Sequence, residues 1–374
     1  MPFEGSNYYY TTDNSFRYDL LFRLFRTVDF RDKYLFIYDD TFGPEHTNFE
    51  TRFIKTESFP YDLMLEKRQL AADRGLQFRL IFENICEAPS YRYQFKELAE
   101  SISQRSGIPT TEMIVMSGAQ HQWDDPVKNC MVLCIVGAPE LFTTPVPFLE
   151  PAHHFISLAR NSKEHRVLAT KEIWDRGLDR YGYCSLGCVE LDYLELKRIE
   201  TILGTSYAHR YPAIIDGMVG GTQTATTVSQ NSASDPKISR AFVNLVLETS
   251  YDRSVTTNNW NLPFMTEKTS KPFLWYQVPI FLGPVGTLPL IRTVGYDVFD
   301  DIIDHSYDSE SNPYKRIKMV IDQLECICSW PLEQCKKYHY DNRSRFINNR
   351  ATAIKFNQQD RFQINKRNIE AAIS

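Results

Sequence analysis

The stretch from Phe242 to Phe281 constrains the fold of this chain more than any other. It opens with the apolar run FVNLVLE, which ends at Glu248, and it closes with the apolar run VPIF, which begins at Val278. Between the two runs, Thr266-Glu267-Lys268 is typical of a helix start. The order strand, helix, strand predicts a βαβ unit. Open parallel sheets bind ligands in the loops after the carboxyl ends of their strands. We therefore interpret this stretch as the cofactor-binding or donor-binding half of an active site.

The residues before this stretch also alternate between strand and helix patterns. The predicted strands are Tyr34–Asp40, Leu76–Phe82, Met113–Met116 and Met131–Val136, and the predicted helices are Asp13–Val28 and Arg92–Gln104. Such alternation predicts an α/β domain with a parallel, doubly wound sheet over residues 1–138. Four prolines within 139–152 then predict an interdomain linker, because proline removes backbone donors from helices and central strands.

A second α/β series follows the linker. Its predicted elements are a strand at His153–Arg160, a helix at Lys163–Gly177 that stops at its glycine, a short strand or turn at CSLGCVEL, a loop at Asp216–Asp235, the βαβ unit, and helices at Leu288–Val294 and Asn312–Cys335. We predict a second domain over 153–337 and a tail over 338–374. The predicted architecture is two Rossmann-like domains facing across a ligand-binding cleft, with a tail that could cross back to the first domain.

Composition narrows the class of protein. At 374 residues the chain is long enough for two domains, and 43% hydrophobic residues are typical of a globular protein. No apolar run reaches the length of a membrane-spanning helix, and the N-terminus lacks a signal-peptide pattern. These features predict a cytoplasmic protein, in the host cytoplasm if its source is viral. The eight cysteines form no C-x-x-C pair, so we expect reduced thiols rather than a zinc site.

The charge of the chain is distributed unevenly. The net charge is −5, yet residues 336–367 contain nine Lys or Arg and two Asp or Glu, interleaved with aromatic residues. Such a segment suits nucleic acid, and it equally suits an anionic membrane surface. A plain C-terminal helix with a solvated basic face is the structural alternative.

Two helix starts in the predicted second domain carry residues suited to a nucleotide diphosphate, whose phosphates need cations and backbone N–H groups. Lys163, His165 and Arg166 open one helix. At the other, Lys268 would meet a phosphate and Glu267 would accept hydrogen bonds from ribose hydroxyls. The structural alternative for this second start is helix capping with a solvated charge.

The part of the sequence that contains these two helix starts resembles the fucosyltransferase-like glycosyltransferases of the two-Rossmann-domain (GT-B) fold. The family pairs a strand ending F-E-N with a Y-[VI]-T-E-K helix start and a strand ending x-P-[IV]-x-x-G, and this chain has LET, FMTEK and VPIFLG. FISLARNSKEHR is similar to the strand-loop-helix whose arginine grips the diphosphate. The resemblance covers Phe155 to about Phe299 and implies these donor-binding residues: Arg166, Gly220, Gly221, Glu248, Thr249, Phe264, Thr266, Glu267 and Lys268.

The resemblance implies an enzyme that moves a hexosyl or pentosyl group from a nucleotide-diphosphate sugar to an acceptor hydroxyl. The acceptor stays open between a glycan, a lipid-linked saccharide and, for a viral protein, a hydroxymethylated DNA base. Thr249 stands where the family has Asn and Phe264 where it has Tyr. Both positions lie near the donor sugar and base, so the donor also stays open, GDP-fucose or another. The competing class is a non-catalytic protein of this fold that binds nucleic acid or a partner through its tail.

An inverting transfer needs a general base near the acceptor and a cation at the leaving diphosphate. The chain contains no strict D-x-D motif, which favours a metal-independent mechanism without a cofactor, in which Arg166 and Lys268 supply the charge. The base is expected at a strand end of the N-terminal domain. The acidic candidates are Asp39, Asp40, Glu83, Asp124 and Asp125, of which we favour Glu83 and Asp125; a turn or capping role is the alternative for each. Three histidines are also candidate bases, with a structural role as the alternative: His121, His153 and His154.

Overall fold

A computed structural model of the protein describes residues 8–10, 27–39, 59–84, 92–117, 128–131, 145–159, 163–186, 197, 200–201, 236–248, 251, 263 and 265–374. The chain divides into two compact units. The first comprises the described residues within Met1–Val136, Asn258–Met265 and Gln359–Ser374. The second comprises those within Gly137–Thr257 and Thr266–Gln358.

The first unit is built on a parallel sheet. Its described strands are β1 (Tyr8–Tyr10), β2 (Lys33–Asp39), β3 (Gln77–Asn84), β4 (Met113–Ser117) and β5 (Lys128–Met131), and between β2 and β4 the structure describes the helices α1 (Tyr61–Asp73) and α2 (Arg92–Ser106). A 3₁₀ turn, Thr110–Glu112, precedes β4. The predicted α/β class and parallel pairing are confirmed. The described strands lie in sequence order, so the reversal of a doubly wound sheet, which we expected here, does not occur among them.

Both faces of this sheet are covered, because successive side chains on a strand point to opposite faces. Leu35 and Ile37 of β2 pack against Ile369 and Ile373 of the last helix, α10 (Arg361–Ile373). The intervening Phe36 faces the other way, into a core shared with α1 and α2. The end of the predicted tail therefore completes the core of the first unit.

The second unit contains a four-stranded parallel sheet in the order β7-β6-β8-β9. Its strands are β6 (His153–Ala159), β7 (Gly182–Leu186), β8 (Ala241–Leu247) and β9 (Val278–Leu282). The helices α3 (Glu164–Asp175), α4 (Pro236–Ser239) and α5 (Glu267–Leu274) connect them. The chain passes from β6 to β7 on one side and from β8 to β9 on the other. This sheet is thus doubly wound, with its reversal between β6 and β8.

Further helices complete the second unit: α6 (Thr287–Thr293), α7 (Pro313–Cys328), α8 (Leu332–Asp341) and α9 (Arg343–Lys355). A π-helical turn, Phe356–Asp360, joins α9 to α10. The single helix expected over Asn312–Cys335 is corrected to two helices, because Pro331 lacks an N–H and the chain breaks before it. None of the helices in the described part of the chain is long and apolar enough to cross a membrane.

The two expected flanking segments differ from the observed units. Within the predicted linker, Val146 is buried and Phe148 stacks on His339 of α8, so the described residues 145–152 pack as part of the second unit. The end of α8 and all of α9 fall in the predicted tail over 338–374, but they also belong to this unit. The loop Asp216–Asp235 and most of the predicted helix Asp13–Val28 lie outside the described residues.

Candidate functional site

Helix α5 begins with a capping box. The Thr266 hydroxyl accepts a hydrogen bond from the backbone N–H of Lys268 at 3.1 Å. The Thr269 hydroxyl accepts one from the backbone N–H of Thr266, also at 3.1 Å. The reciprocal bonds satisfy two N–H groups that a helix start leaves without an intrahelical acceptor. The helix start predicted at Thr266 is confirmed, and Thr266 caps it, the role that was predicted only as the structural alternative.

The same two hydroxyls bind the side chain of Glu248, the residue directly after β8. Thr269 donates to one carboxylate oxygen at 2.8 Å, and Thr266 donates to the other at 3.2 Å. Only 1% of Glu248 is exposed. A buried carboxylate requires such donors, since burial without them is costly. Glu248 therefore fixes the start of α5 to the carboxyl end of β8.

The backbone carbonyl of Glu248 binds the first turn of a second helix. It accepts hydrogen bonds from Nη2 of Arg166 at 2.9 Å, from Nε of Arg166 at 3.3 Å and from Nε2 of His165 at 2.9 Å. Because a carbonyl only accepts, Nε2 of His165 carries a hydrogen. Burial lowers the pKa of His165 well below its ordinary value, and the neighbouring Arg166 guanidinium lowers it further. His165 is thus a neutral hydrogen-bond donor. Arg166 is 3% exposed, and two of its nitrogen atoms donate hydrogen bonds to the protein's own backbone.

A buried aromatic pair continues this cluster toward α7. The His165 ring stacks on Tyr251 at 4.9 Å, and the guanidinium of Arg316 lies 4.7 Å from the Tyr251 ring centroid. The Tyr251 hydroxyl donates to the carbonyl of Pro313 at 2.5 Å and accepts from Nε of Arg316 at 3.2 Å. Burial raises the pKa of Tyr251 to about 12. Sequence reasoning missed both Tyr251 and Arg316.

Helix α5 is also held at its other end. Arg350 of α9 donates to the carbonyl of Leu274, and its guanidinium lies 5.4 Å from the ring centroid of Tyr276. Asn357, in the π-helical turn, donates to the Ser270 hydroxyl at 3.2 Å. Both ends and the middle of this short helix are therefore restrained by side chains.

The structure brings some of the predicted donor-binding residues together and leaves others undetermined. Arg166, Glu248 and Thr266 form one hydrogen-bonded cluster, and Lys268, half-buried, lies in the first turn of α5. Glu267 begins that helix. The remaining predicted donor-binding positions, Gly220, Gly221, Thr249 and Phe264, lie outside the described residues.

The predicted catalytic acids belong to the first unit. Glu83 lies near the carboxyl end of β3, where the strand register pairs it with Asp39 of β2 and Met116 of β4. Asp125 lies outside the described residues. Sequence reasoning treated Asp39 and Glu83 as separate candidates, and the register makes them neighbours on adjacent strands.

Several tail cations that suggested nucleic-acid or membrane contact have partners within the second unit. Lys336 pairs with Glu150 at 2.9 Å, and Arg345 pairs with Asp297 at 2.6 Å and Asp301 at 2.8 Å. Among the tail aromatics, Phe346 and Phe356 are buried. These residues contribute to the packing of α8 and α9 against the sheet domain.

Within the described ranges, no group of three or more His, Cys, Asp or Glu side chains is arranged to hold a metal ion. The candidate site is therefore defined by its hydrogen bonds: it is the cluster around Glu248 at the carboxyl ends of β6 and β8. Comparison with known proteins adds no relative to it: no protein-family model matches the chain, and no curated protein matches it.

Proposed function

We propose that the protein is a glycosyltransferase that takes its sugar from a nucleotide-diphosphate donor bound by the second unit. One observation carries the proposal: the order of the second sheet reverses between β6 and β8, and the helices that follow these two strands begin at this reversal. Ligands of open α/β sheets bind in the crevice outside the carboxyl ends of the strands at such a point. Helix starts favour anions there, since their N–H groups and dipoles point outward.

The proposal divides the cations of the site by their burial. Lys268 and the N–H groups of α5 would bind the diphosphate, and Lys163 at the start of α3 would add a second charge. Arg166 receives a different role from the one that the family resemblance implies. Its hydrogen bonds to the Glu248 carbonyl make it a positioning residue. They fix the start of α3 to the carboxyl end of β8, beside the proposed phosphate site.

The remaining roles follow from the family resemblance. Glu267 would bind the ribose hydroxyls, while Gly220, Gly221, Thr249 and Phe264 would surround the donor. The first unit would bind the acceptor, a glycan, a lipid-linked saccharide or a hydroxymethylated DNA base, and supply Glu83 or Asp125 as the base. The transfer would be inverting, as the resemblance to the fucosyltransferase-like family implies, with the charge on the leaving diphosphate balanced by lysine and helix N–H groups.

Calorimetry with a panel of nucleoside diphosphates tests the proposal. We expect one nucleotide to bind, and we expect Lys268→Ala to weaken it about tenfold or more, the loss of one charged hydrogen bond. Lys271→Ala is the matched control, because Lys271 lies on the same helix one turn beyond the capping box and near the Trp275 ring. No binding of any nucleotide, or equal weakening by both variants, would contradict the proposal.

A second measurement separates an enzyme from a non-catalytic protein of the same fold. Slow release of nucleoside diphosphate from one nucleotide sugar in the absence of acceptor indicates an enzyme. Tight nucleotide binding without any hydrolysis or transfer, across a panel of nucleotide sugars, would favour the non-catalytic alternative.

A further inference from the structure

A pocket of about 550 Å³ lies at the amino end of β3 in the first unit, the end of the sheet opposite to Glu83. Its polar lining comes from three elements: Arg68 of α1, Gln77 and Arg79 of β3, and Thr111 and Glu112 of the 3₁₀ turn before β4. In the pairing of β3 with β4, Leu80 lies beside Met113. The residues just before Leu80 are therefore close to the 3₁₀ turn just before Met113. The proposed transfer reaction uses none of these side chains.

Arg79 is held in place but not fully hydrogen-bonded. Its Nη1 donates to the carbonyl of Phe78 at 3.1 Å, and its Nη2 donates to the side-chain oxygen of Gln77 at 3.3 Å. Its Nε is buried, and no acceptor for it exists among the described residues. Buried donors in folded proteins are satisfied in the great majority of cases, so such a group requires an explanation. The Nε atom has almost no solvent-accessible surface, so a ligand in the pocket would instead meet the N–H groups of Nη1 and Nη2 that these two bonds leave unused.

Arg68 adds a second guanidinium to the same pocket. The residue is partly buried in α1, and it forms no ion pair or hydrogen bond within the described part of the chain. Other charges nearby are neutralised locally, as the pairs Lys33–Asp32 and Lys67–Glu66 show. Two arginines and one carboxylate, that of Glu112, line the pocket, so the charge of its lining is net positive.

We infer that this pocket binds a phosphate group, as the free anion or as a phosphate ester. Guanidinium groups match tetrahedral phosphate oxygens with paired N–H donors. Thr111 and Gln77 also line the pocket, and their hydroxyl and amide groups can donate further hydrogen bonds to the phosphate oxygens. Glu112 would accept a hydrogen bond from a hydroxyl on the body of an ester, which favours a phosphorylated, hydroxylated molecule over the inorganic ion.

Binding of inorganic phosphate, methyl phosphate and glycerol 3-phosphate to the full-length protein tests the inference. The titrations are made in the Lys268→Ala background, so that phosphate affinity of the proposed donor site does not contribute. We expect saturable binding, tightest for glycerol 3-phosphate, and at least tenfold weaker binding after Arg68→Gln. Arg79→Gln should have the same effect. Arg74→Gln is the matched control, because Arg74 follows the same helix and carries the same charge outside the pocket; it should change the affinity less than twofold.

Arg68 makes no hydrogen bond in the described structure, so Arg68→Gln is expected to leave the fold intact, and thermal unfolding checks this. The inference is overturned if none of the three compounds binds up to about 10 mM. It is also overturned if Arg74→Gln weakens binding as much as Arg68→Gln, since the effect would then be one of net charge. Glycerol 3-phosphate binding no tighter than inorganic phosphate would remove the role of Glu112.

Discussion

Arg166 donates two hydrogen bonds from its buried guanidinium to the backbone carbonyl of Glu248, a residue 82 positions later in the chain. The side chain of that same Glu248 caps the start of α5 through Thr266 and Thr269. One residue at the end of β8 therefore positions two helices at once. The geometry of the candidate site depends on this buried cluster more than on any exposed charge.

Replacing Arg166 by lysine tests how much the cluster contributes to stability. Lysine keeps the charge but loses the two-pronged donor, so we expect a loss of about 1.5–3 kcal/mol in the free energy of unfolding, measured in urea. Arg176→Lys is the control on the same helix. Arg176 pairs with Asp322, Glu172 and Glu325 near the surface, so its replacement should cost less than about 1 kcal/mol. Equal losses in the two variants would contradict the special role of Arg166.

The Thr266 hydroxyl caps α5 and also donates a hydrogen bond to Glu248. Substitutions can distinguish the effect of these hydrogen bonds from the effect of the side chain's shape. Thr266→Val keeps the branched shape and removes the hydroxyl, so the N-cap bond and the bond to Glu248 are lost together. We expect a loss of about 1–3 kcal/mol by chemical denaturation. Thr266→Ser retains the hydroxyl and should remain within about 0.5 kcal/mol of the original protein. A serine variant as unstable as the valine variant would show that packing, not hydrogen bonding, decides this position.

Strands β8 and β9 of the second unit were predictable from the sequence because their side chains are buried on both faces. All residues of β8 and β9 are buried, and such strands appear as continuous apolar runs bounded by polar residues. The start of α5 was equally clear from Thr266. Helix α1, in contrast, gave no usable signal. Its N-cap is Pro60, which forms no side-chain cap, and only Met64 and Ala71 of its residues are buried.

The roles within the candidate site were less predictable than its location. Arg166 resembles a phosphate-binding cation in the sequence, but its observed acceptor is a backbone carbonyl, which leaves no trace in residue identity. The same reason explains why Tyr251, which donates to the carbonyl of Pro313, was overlooked. The sheet reversal between β6 and β8 likewise depends on strand order, which the order of elements along the chain does not determine.

The proposed catalytic base gives a prediction about rates. If Glu83 is the base, Glu83→Gln should lower kcat by about 10²–10⁴-fold with the donor affinity unchanged. Asp39 is its neighbour in the strand register, so Asp39→Asn is the matched control and should have a smaller effect. Asp125→Asn tests the other candidate. Unchanged turnover in Glu83→Gln, together with a large loss in Asp125→Asn, would assign the role to Asp125.

The contacts of α9 with the C-terminal end of α5 should slow the amide hydrogen exchange of α5. Arg350→Ala removes the bond to the Leu274 carbonyl and the contact with the Tyr276 ring. We expect a loss of about 1–2 kcal/mol and faster amide exchange throughout α5. Arg343→Ala is the control on the same helix, because Arg343 is exposed and, among the described residues, its side chain lies over the Phe148 ring alone, at 5.2 Å. Exchange in α5 should then be unchanged, and equal acceleration in both variants would contradict the assignment.

His339 links the stability of the second unit to pH. Its ring is 3% exposed and stacks on Phe148 at 4.3 Å, and its Nε2 donates to the Tyr276 carbonyl. Burial lowers the pKa of His339 to about 4, so the folded protein disfavours the charged ring. The contribution is present above pH 6.5, the ordinary histidine value, and is lost as the pH falls toward 4. Over this range we expect a loss of about 3 kcal/mol from this residue.

His339→Gln separates this contribution from that of every other titrating group, because glutamine keeps an N–H donor and does not titrate. The free energy of unfolding is measured in urea at intervals between pH 7 and pH 4 for both proteins. The variant is expected to be less stable at pH 7, where it lacks the stacked ring, and to lose less stability on acidification. Since all other groups are common to the two proteins, the difference between the curves should shrink as the pH falls. Parallel curves would show that His339 does not titrate differently in the folded and unfolded states.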